Sequence, residues 1–94
     1  MSGTEIPGLR LDKWLVHARF ARTRSLARDL VADGRVRVDG ARITAPDRKI
    51  RPGCVLTLAL PHATTVVRVL ELGDRRGPAT QARLLYEEVG AGQA

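Results

Sequence analysis

The spacing of hydrophobic positions along this chain changes more than once, and each change marks a new element. Leu11, Trp14, Leu15 and Ala18 recur at i, i+3, i+4 and i+7, one face of an amphipathic helix. This helix should start at Leu11 or Asp12, whose carboxylate suits the positive helix end, and stop near Phe20 or Ala21. Arg10, Lys13 and His17 fall together on another face. Thr23 is a good N-cap for a second helix with the core stripe Leu26, Ala27, Leu30 and Val31, and Gly34 suits the position after its C-cap. The period then drops to two. Val36, Val38, Ala41 and Ile43 alternate with Arg35, Arg37, Arg42 and Thr44 around Asp39-Gly40, the dipeptide of type I′ hairpins. A two-residue turn pairs Val38 with Ala41 and Arg37 with Arg42.

Residues 45–53 read as a connection rich in turn formers. Residues 54–60 read as a strand with Leu56, Leu58 and Leu60 on one face, and residues 65–72 as a second, nearly continuous in Val and Leu. A loop over 73–78 leads to an expected C-terminal helix over 80–89, with Ala82, Leu85, Tyr86 and Val89 inward and Gly90 as its end. Residues 1–8 read as a flexible lead and the last residues as frayed. The pattern predicts an α+β fold: two helices packed on a small, mainly antiparallel sheet, followed by a short C-terminal helix.

Composition narrows the chemistry. The 94 residues suit one small domain, and 44% hydrophobic with 28% charged residues suits a folded chain. Aromatics are only 3%, so the core must come from Leu, Val, Ile and Ala. Cys54 is the only cysteine, which excludes an internal disulfide and reads as a small buried hydrophobe on its strand. No apolar run approaches the roughly 20 residues of a membrane span, and no signal-peptide pattern opens the chain, so the expected address is the cytoplasm, with no membrane partner. One Cys and two His, His17 and His62, cannot build a Cys/His zinc site without several carboxylates. There is no phosphate-loop or dinucleotide fingerprint, and Ser25 lacks base and acid partners, so no metal, cofactor or enzymatic activity is expected.

Charge changes the picture most. Residues 9–52 hold 12 basic and 5 acidic side chains, a net +7, whereas residues 53–94 hold 4 of each. Fourteen of the 16 basic residues are Arg, only Lys13 and Lys49 being Lys. A GC-rich genome would account for the choice of Arg over Lys but not for the segregation. A basic half is the footprint of a polyanion binder, and Arg offers a planar fork for phosphate. Its densest part is the helix-pair corner: Arg19, Arg22, Arg24 and Arg28, beside the outward backbone N–H groups of a helix opening at Thr23. Arg35, Arg37, Arg42, Arg48 and Lys49 would extend the surface toward the sheet edge. Arg37 facing Arg42 suits an anion over that face, or two side chains splayed into water. Trp14 reads as core, Phe20 as core or base-stacking, His17 as a polar-face residue. Arg75 and Arg76 read as a second contact or a solvated loop.

The residues Arg10-Leu11-Asp12-Lys13-Trp14-Leu15, Arg19, Thr23-Arg24-Ser25 and Gly34-Arg35-Val36-Arg37-Val38-Asp39-Gly40 together resemble the RNA-binding domain named after ribosomal protein S4. Ala45-Pro46-Asp47 stands where that pattern has Lys-Pro-Ser, Pro52-Gly53-Cys54 where it has Pro-Gly-Asp, and Asp39 replaces an Asn. The resemblance implies a domain over 9–60, with 61–94 as an extension of the same domain, and its two-helix (αL) RNA-binding motif. It carries RNA contact over to Arg10, Lys13, Arg19, Thr23, Arg24 and Arg28. Leu11-Asp12-Lys13-Trp14-Leu15, Arg75-Arg76-Gly77-Pro78-Ala79 and Leu85-Tyr86-Glu87-Glu88 resemble the narrower, ribosome-associated heat-shock protein 15 family. That resemblance implies a stress-response protein whose partners are ribosomal RNA, the large ribosomal subunit and peptidyl-tRNA left by aborted translation. A monomer is expected. Two other readings stay open: an RNA-presenting subunit working in trans with an RNA-modifying enzyme, and a generic nucleic-acid binder.

Overall fold

The computed structural model describes residues 8–91; the expected flexible lead, apart from Gly8, and the expected frayed end lie outside the described residues. The chain runs β1 (Leu9–Arg10), α1 (Leu11–His17), α2 (Arg24–Ala32), β2 (Val36–Val38), β3 (Ala41–Ile43), β4 (Lys49–Ile50), β5 (Val55–Leu60) and β6 (Ala63–Val69). It continues with a single helical turn, α3 (Ala79–Ala82), that tightens into a 3-10 turn (Arg83–Leu85), and ends in β7 (Tyr86–Ala91). The α+β expectation holds. A five-stranded antiparallel sheet has the order β3-β2-β5-β6-β7, and β1 and β4 form a separate two-stranded ribbon. Leu11, Trp14 and Leu15 of α1 and Ala27 and Val31 of α2 pack with Ile50 against Val36, Val38, Leu56, Leu58, Val67 and Val69. The helix pair therefore covers one face of the sheet and presents its own outer side to solvent.

The hairpin has the register set by its two-residue turn: Val38 faces Ala41 and Arg37 faces Arg42, with Asp39 and Gly40 at φ 51° and 87°. Asp39, in the place of an Asn, locks the hairpin to β5. Its backbone N–H donates to the Val55 carbonyl at 2.7 Å, and its Oδ1 accepts from the Val55 N–H at 2.9 Å. Two stripe positions lie outside the core. Leu26 is 50% exposed, in a surface groove with Leu60 and Pro61, and Ala41 is exposed on the edge strand. Cys54 is half-buried and precedes β5 rather than lying within it.

Both helices close in the same way. At the end of α2, Gly34 takes φ 75°, its N–H donates to Val31, and the Arg35 N–H donates to Leu30. At the end of α1 the pattern repeats one motif earlier than the apolar stripe suggests: Arg19 takes φ 66°, its N–H donates to Val16 and that of Phe20 to Leu15. This paired closure satisfies the last carbonyls and stops α1 at His17. Arg19 holds a conformation that favours glycine, at a cost of roughly 1 kcal/mol.

The expected helix over 80–89 is corrected: it is helical only to residue 85, and residues 86–91 form the sheet's last strand. Tyr86 faces Val69 and Glu87 faces Arg68, with a bulge between Val66 and Val67. Positions 82, 85, 86 and 89 fit a helical period, but β6 would otherwise leave a long row of backbone groups unpaired, and that demand prevails. The strand also carries the Tyr86 ring to 4.7 Å from Phe20 and 6.3 Å from Trp14, so the chain's three aromatics form one cluster. The ribbon of β1 and β4 is likewise a correction, since residues 45–53 read as a connection. It forms because Ile50 is buried in the core and draws its neighbours against Leu9 and Arg10.

One buried charge ties these parts together. The Asp12 side chain is fully buried. Arg10 grips it with two hydrogen bonds, Nε to Oδ1 at 3.1 Å and an NH2 to Oδ2 at 2.9 Å. The Lys13 backbone N–H donates to Oδ1 at 2.8 Å, and Arg24 reaches Oδ2 at 3.4 Å from the first turn of α2. Burial pushes the Asp12 carboxyl upward, but the Arg10 hydrogen bond, the Lys13 N–H and the charges of Arg10 and Arg24 together hold it below the usual carboxylate range. A depressed folded-state value contributes stability above the unfolded carboxyl's value, near 4, that is lost as pH falls through the folded one. We predict acid unfolding below about pH 4, followed by circular dichroism, with Asp12→Asn flattening that limb. Asp12→Ala should cost about 1–2 kcal/mol in urea unfolding, less than the loss of a fully buried pair because both arginines keep access to water.

Candidate nucleic-acid interface

The Asp12 carboxylate neutralises one of the two guanidiniums it holds and fixes the position of both. The side chains of Arg10 and Arg24 remain 38% and 44% exposed, so each keeps donors free for an outside anion. The Arg10 guanidinium is raised further above its ordinary value by its hydrogen bond to Asp12, against a smaller opposing effect of burial. The ribbon sets Lys49 directly across from Arg10. Lys13 projects from α1 into the same cleft as Arg24, and Arg28 follows Arg24 one turn along α2. Arg48 joins this group through its backbone, its carbonyl accepting the Leu11 N–H at 2.8 Å. Arg10, Lys13, Arg24 and Lys49 thus gather around the start of both helices, with the Arg48 backbone beside them and Arg28 one turn further along α2.

The two helix N-termini differ. At α1 the carbonyls of Arg48 and Pro46 take the N–H groups of Leu11 and Asp12, and the Asp12 side chain takes that of Lys13. That end is filled. At α2 the Thr23 hydroxyl accepts the Leu26 N–H at 3.2 Å, and the Thr23 carbonyl accepts that of Ala27. The N–H groups of Arg24 and Ser25 have no acceptor among the described residues, so the positive end of α2 faces outward beside Arg24 and Arg28. Thr23 therefore acts as a cap, its hydroxyl already engaged.

The remaining expected residues lie elsewhere. Arg19 turns to the C-terminal segment, where its NH1 donates to the Gly77 carbonyl at 2.9 Å. Arg22 borders a separate apolar groove with Leu26, Leu30, Leu60 and Pro61, rimmed by Asp29 and Asp33. Arg37 lies on the outer sheet face, paired across the hairpin with Arg42 and on its other side with Thr57. The Arg42 guanidinium folds back over Gly34, at the carbonyl end of α2, where the helix dipole favours a cation. Arg35, which closes α2, is exposed between these groups. The basic side chains thus form a cluster at the helix starts, with the hairpin cations set apart from it.

Trp14 is fully buried, and half-buried Phe20 packs against Tyr86 and Trp14, so the rings are held in one cluster within the fold. His17 is half-buried, and its Nδ1 donates to the Leu72 carbonyl at 3.1 Å. Sequence reasoning missed the burial of Asp12. The available signal was a carboxylate flanked by Arg10 and Lys13 at the edge of an otherwise apolar stripe. Among the described residues no three His, Cys, Asp or Glu side chains are grouped to hold a metal ion, and no helix is long and apolar enough to cross a membrane.

A family model described as "S4 domain" matches residues 9–56. The heat shock protein 15 homolog of Aeromonas salmonicida is 42% identical over 83 residues, covering 88% of this chain and 62% of that protein. Heat shock protein 15 of Escherichia coli K12 is 41% identical over 80 residues, covering 85% of this chain and 59% of that protein. The chain therefore spans about three-fifths of the length of these curated relatives. A solved structure described as trimeric heat shock protein 15 of Vibrio cholerae superposes with a TM-score of 0.83 at 38% identity, covering 88% of this chain and 83% of that one. On its fold, its matched segment and its close relatives, this chain belongs to the S4 domain family and, within it, to the heat shock protein 15 family.

Proposed function

We propose that the chain binds structured ribosomal RNA without catalysing a reaction, and does so on large ribosomal subunits that carry peptidyl-tRNA. The observation that carries the RNA-binding part is the cluster built on Asp12: two guanidiniums held by one buried carboxylate, with Lys13, Lys49 and Arg28 nearby and the open N-terminus of α2 beside them. Such a surface recognises phosphates at fixed spacing. With the aromatic rings occupied, shape and backbone geometry supply most of the recognition. The large subunit and the tRNA enter through kinship with heat shock protein 15. One rigid body gripping ribosomal RNA by the helix corner and tRNA by a second surface would gain strongly in effective affinity. The cation cluster lies wholly within one chain. A monomer therefore suffices for this site, although the Vibrio cholerae relative is described as a trimer.

Affinity for a ribosomal RNA fragment, measured by fluorescence anisotropy, should fall with salt by roughly 0.7–0.9 log units per phosphate contact per log unit of salt. Binding that ignores salt would remove the electrostatic basis of the reading. Lys13→Glu with Arg28→Glu should weaken binding by more than about tenfold while the fold, followed by circular dichroism, stays intact. Arg24 is left unchanged in this test because a carboxylate there would face buried Asp12. Arg75→Glu with Arg76→Glu should cost much less, and the reverse order of effects would place the interface elsewhere. In pelleting assays the chain should prefer large subunits bearing peptidyl-tRNA over puromycin-treated ones and over small subunits. Equal occupancy would leave RNA binding in place and remove the peptidyl-tRNA role.

A further inference from the structure

A cleft of about 310 Å³ separates α1 from the loop that follows β6. This lies within the size range of small-ligand sites, roughly 300–1,000 Å³. Half-buried Leu9 and Val16 give it apolar lining. Lys13 and Arg24 come to it from the helices, Gly73 and Asp74 from the loop. The loop side is fixed. The Trp14 indole donates to the Glu71 carbonyl at 2.9 Å and His17 to that of Leu72, while the Leu70 and Glu71 N–H groups both donate to Leu85. Gly73 sits at φ +73°, and a Cβ there would come within 3.1 Å of the Leu85 side chain. These contacts hold the cleft open in advance of any ligand, which lowers the cost of binding.

Asp74 is what a simple phosphate cleft does not explain. Its carboxylate is exposed and has no ion pair or hydrogen bond among the described residues, although Lys13 and Arg24 line the same cleft. It would repel a phosphate, so the group that suits it is a neutral one with donors. Two carboxylate oxygens match two adjacent N–H donors. Guanine presents that pair on its Watson–Crick edge, N1–H beside the N2 amino group. Adenine and cytosine present one amino group beside an acceptor, and uracil one N–H between two acceptors, all of which would set a lone pair against the carboxylate. Unpaired bases are the part of RNA that proteins read in this way.

We propose that this cleft takes an unpaired guanine nucleotide. Its phosphate would lie on Lys13 and Arg24, its ring against Leu9 and Val16, and its N1–H and N2 amino groups would donate to the Asp74 carboxylate. The inference rests on the RNA-binding reading and adds to it one base that is read directly. The test is a titration of the ¹⁵N-labelled full chain with 5′-GMP, 5′-AMP, 5′-CMP and 5′-UMP, following the Val16, Gly73 and Asp74 amides. GMP should shift these amides saturably and bind at least about fivefold tighter than the other three, the discrimination of one good bidentate pair. Inosine monophosphate, which lacks the N2 amino group, should fall between. Asp74→Ala and Asp74→Asn should abolish the preference while leaving the rest of the spectrum in place: GMP should lose its advantage, and binding of the other three nucleotides should hold or strengthen as the negative charge is lost. Equal shifts for all four, no saturable shift at these amides, or a preference that survives in Asp74→Ala would overturn the proposal. Anisotropy with a ribosomal RNA fragment on the same samples separates the two readings. A chain that binds RNA but does not discriminate nucleotides loses only the guanine site, and one that binds no RNA loses both.

Discussion

The buried carboxylate of Asp12 is the constraint on which the basic corner depends. A lone charge with no access to water would be strongly disfavoured, and here it is met by four hydrogen bonds from three donors' residues: Arg10, Lys13 and Arg24. Those donors come from β1, α1 and α2, so satisfying one side chain fixes the relative placement of three elements. The same arrangement solves a second difficulty. Arg10 and Arg24 repel each other, and the carboxylate between them lets two guanidiniums sit close together with donors still turned outward. Placing the two guanidiniums side by side and holding the helix pair together are done by one interaction.

On its other flank α1 is held by neutral contacts. The Trp14 indole and the His17 ring both donate to carbonyls of the chain just after β6, and Arg19 donates to Gly77. The segment that receives them is in turn fixed by Leu85 and by the pairing of β7 with β6. The C-terminal extension is therefore part of the support for the helix pair. Arg19 illustrates the exchange involved. It occupies a backbone conformation suited to glycine at the end of α1, yet an arginine there reaches across to the extension, which glycine could not do. Its positive charge counts toward the basic half, but its first role in this fold is to brace α1.

Much of this was legible in the sequence because it rests on local rules. The stripe Leu11, Trp14, Leu15 and Ala18 marked α1, Thr23 and Gly34 bracketed α2, and Asp39-Gly40 set the hairpin register down to Arg37 opposite Arg42. Where the reading failed, a distant partner decided the outcome. Residues 82–89 satisfy a helical period, and only the unpaired edge of β6 turns residues 86–91 into a strand. Ile50 looked like loop until the core claimed it. The site was legible in kind but not in arrangement. Charge segregation pointed to the half of the chain that carries the basic cluster, but it could not separate Arg24, directed to Asp12, from Arg19 and Arg22, directed to other surfaces, because that depends on how the helices end and cross.

A half-chain carrying a net +7 on so small a fold should repel itself, and the structure shows how the repulsion is contained. Asp12 takes up the closest pair. Arg42 leans over Gly34 at the carbonyl end of α2. Lys13, Arg28, Arg48 and Lys49 have no ion pair among the described residues and lie toward the helix-start side of the fold. That residual repulsion is a cost to the free protein, and any polyanion that docks there removes it. Binding and folding are then linked with the same sign: RNA that neutralises the cluster must also stabilise the fold, in proportion to how far its concentration exceeds the dissociation constant.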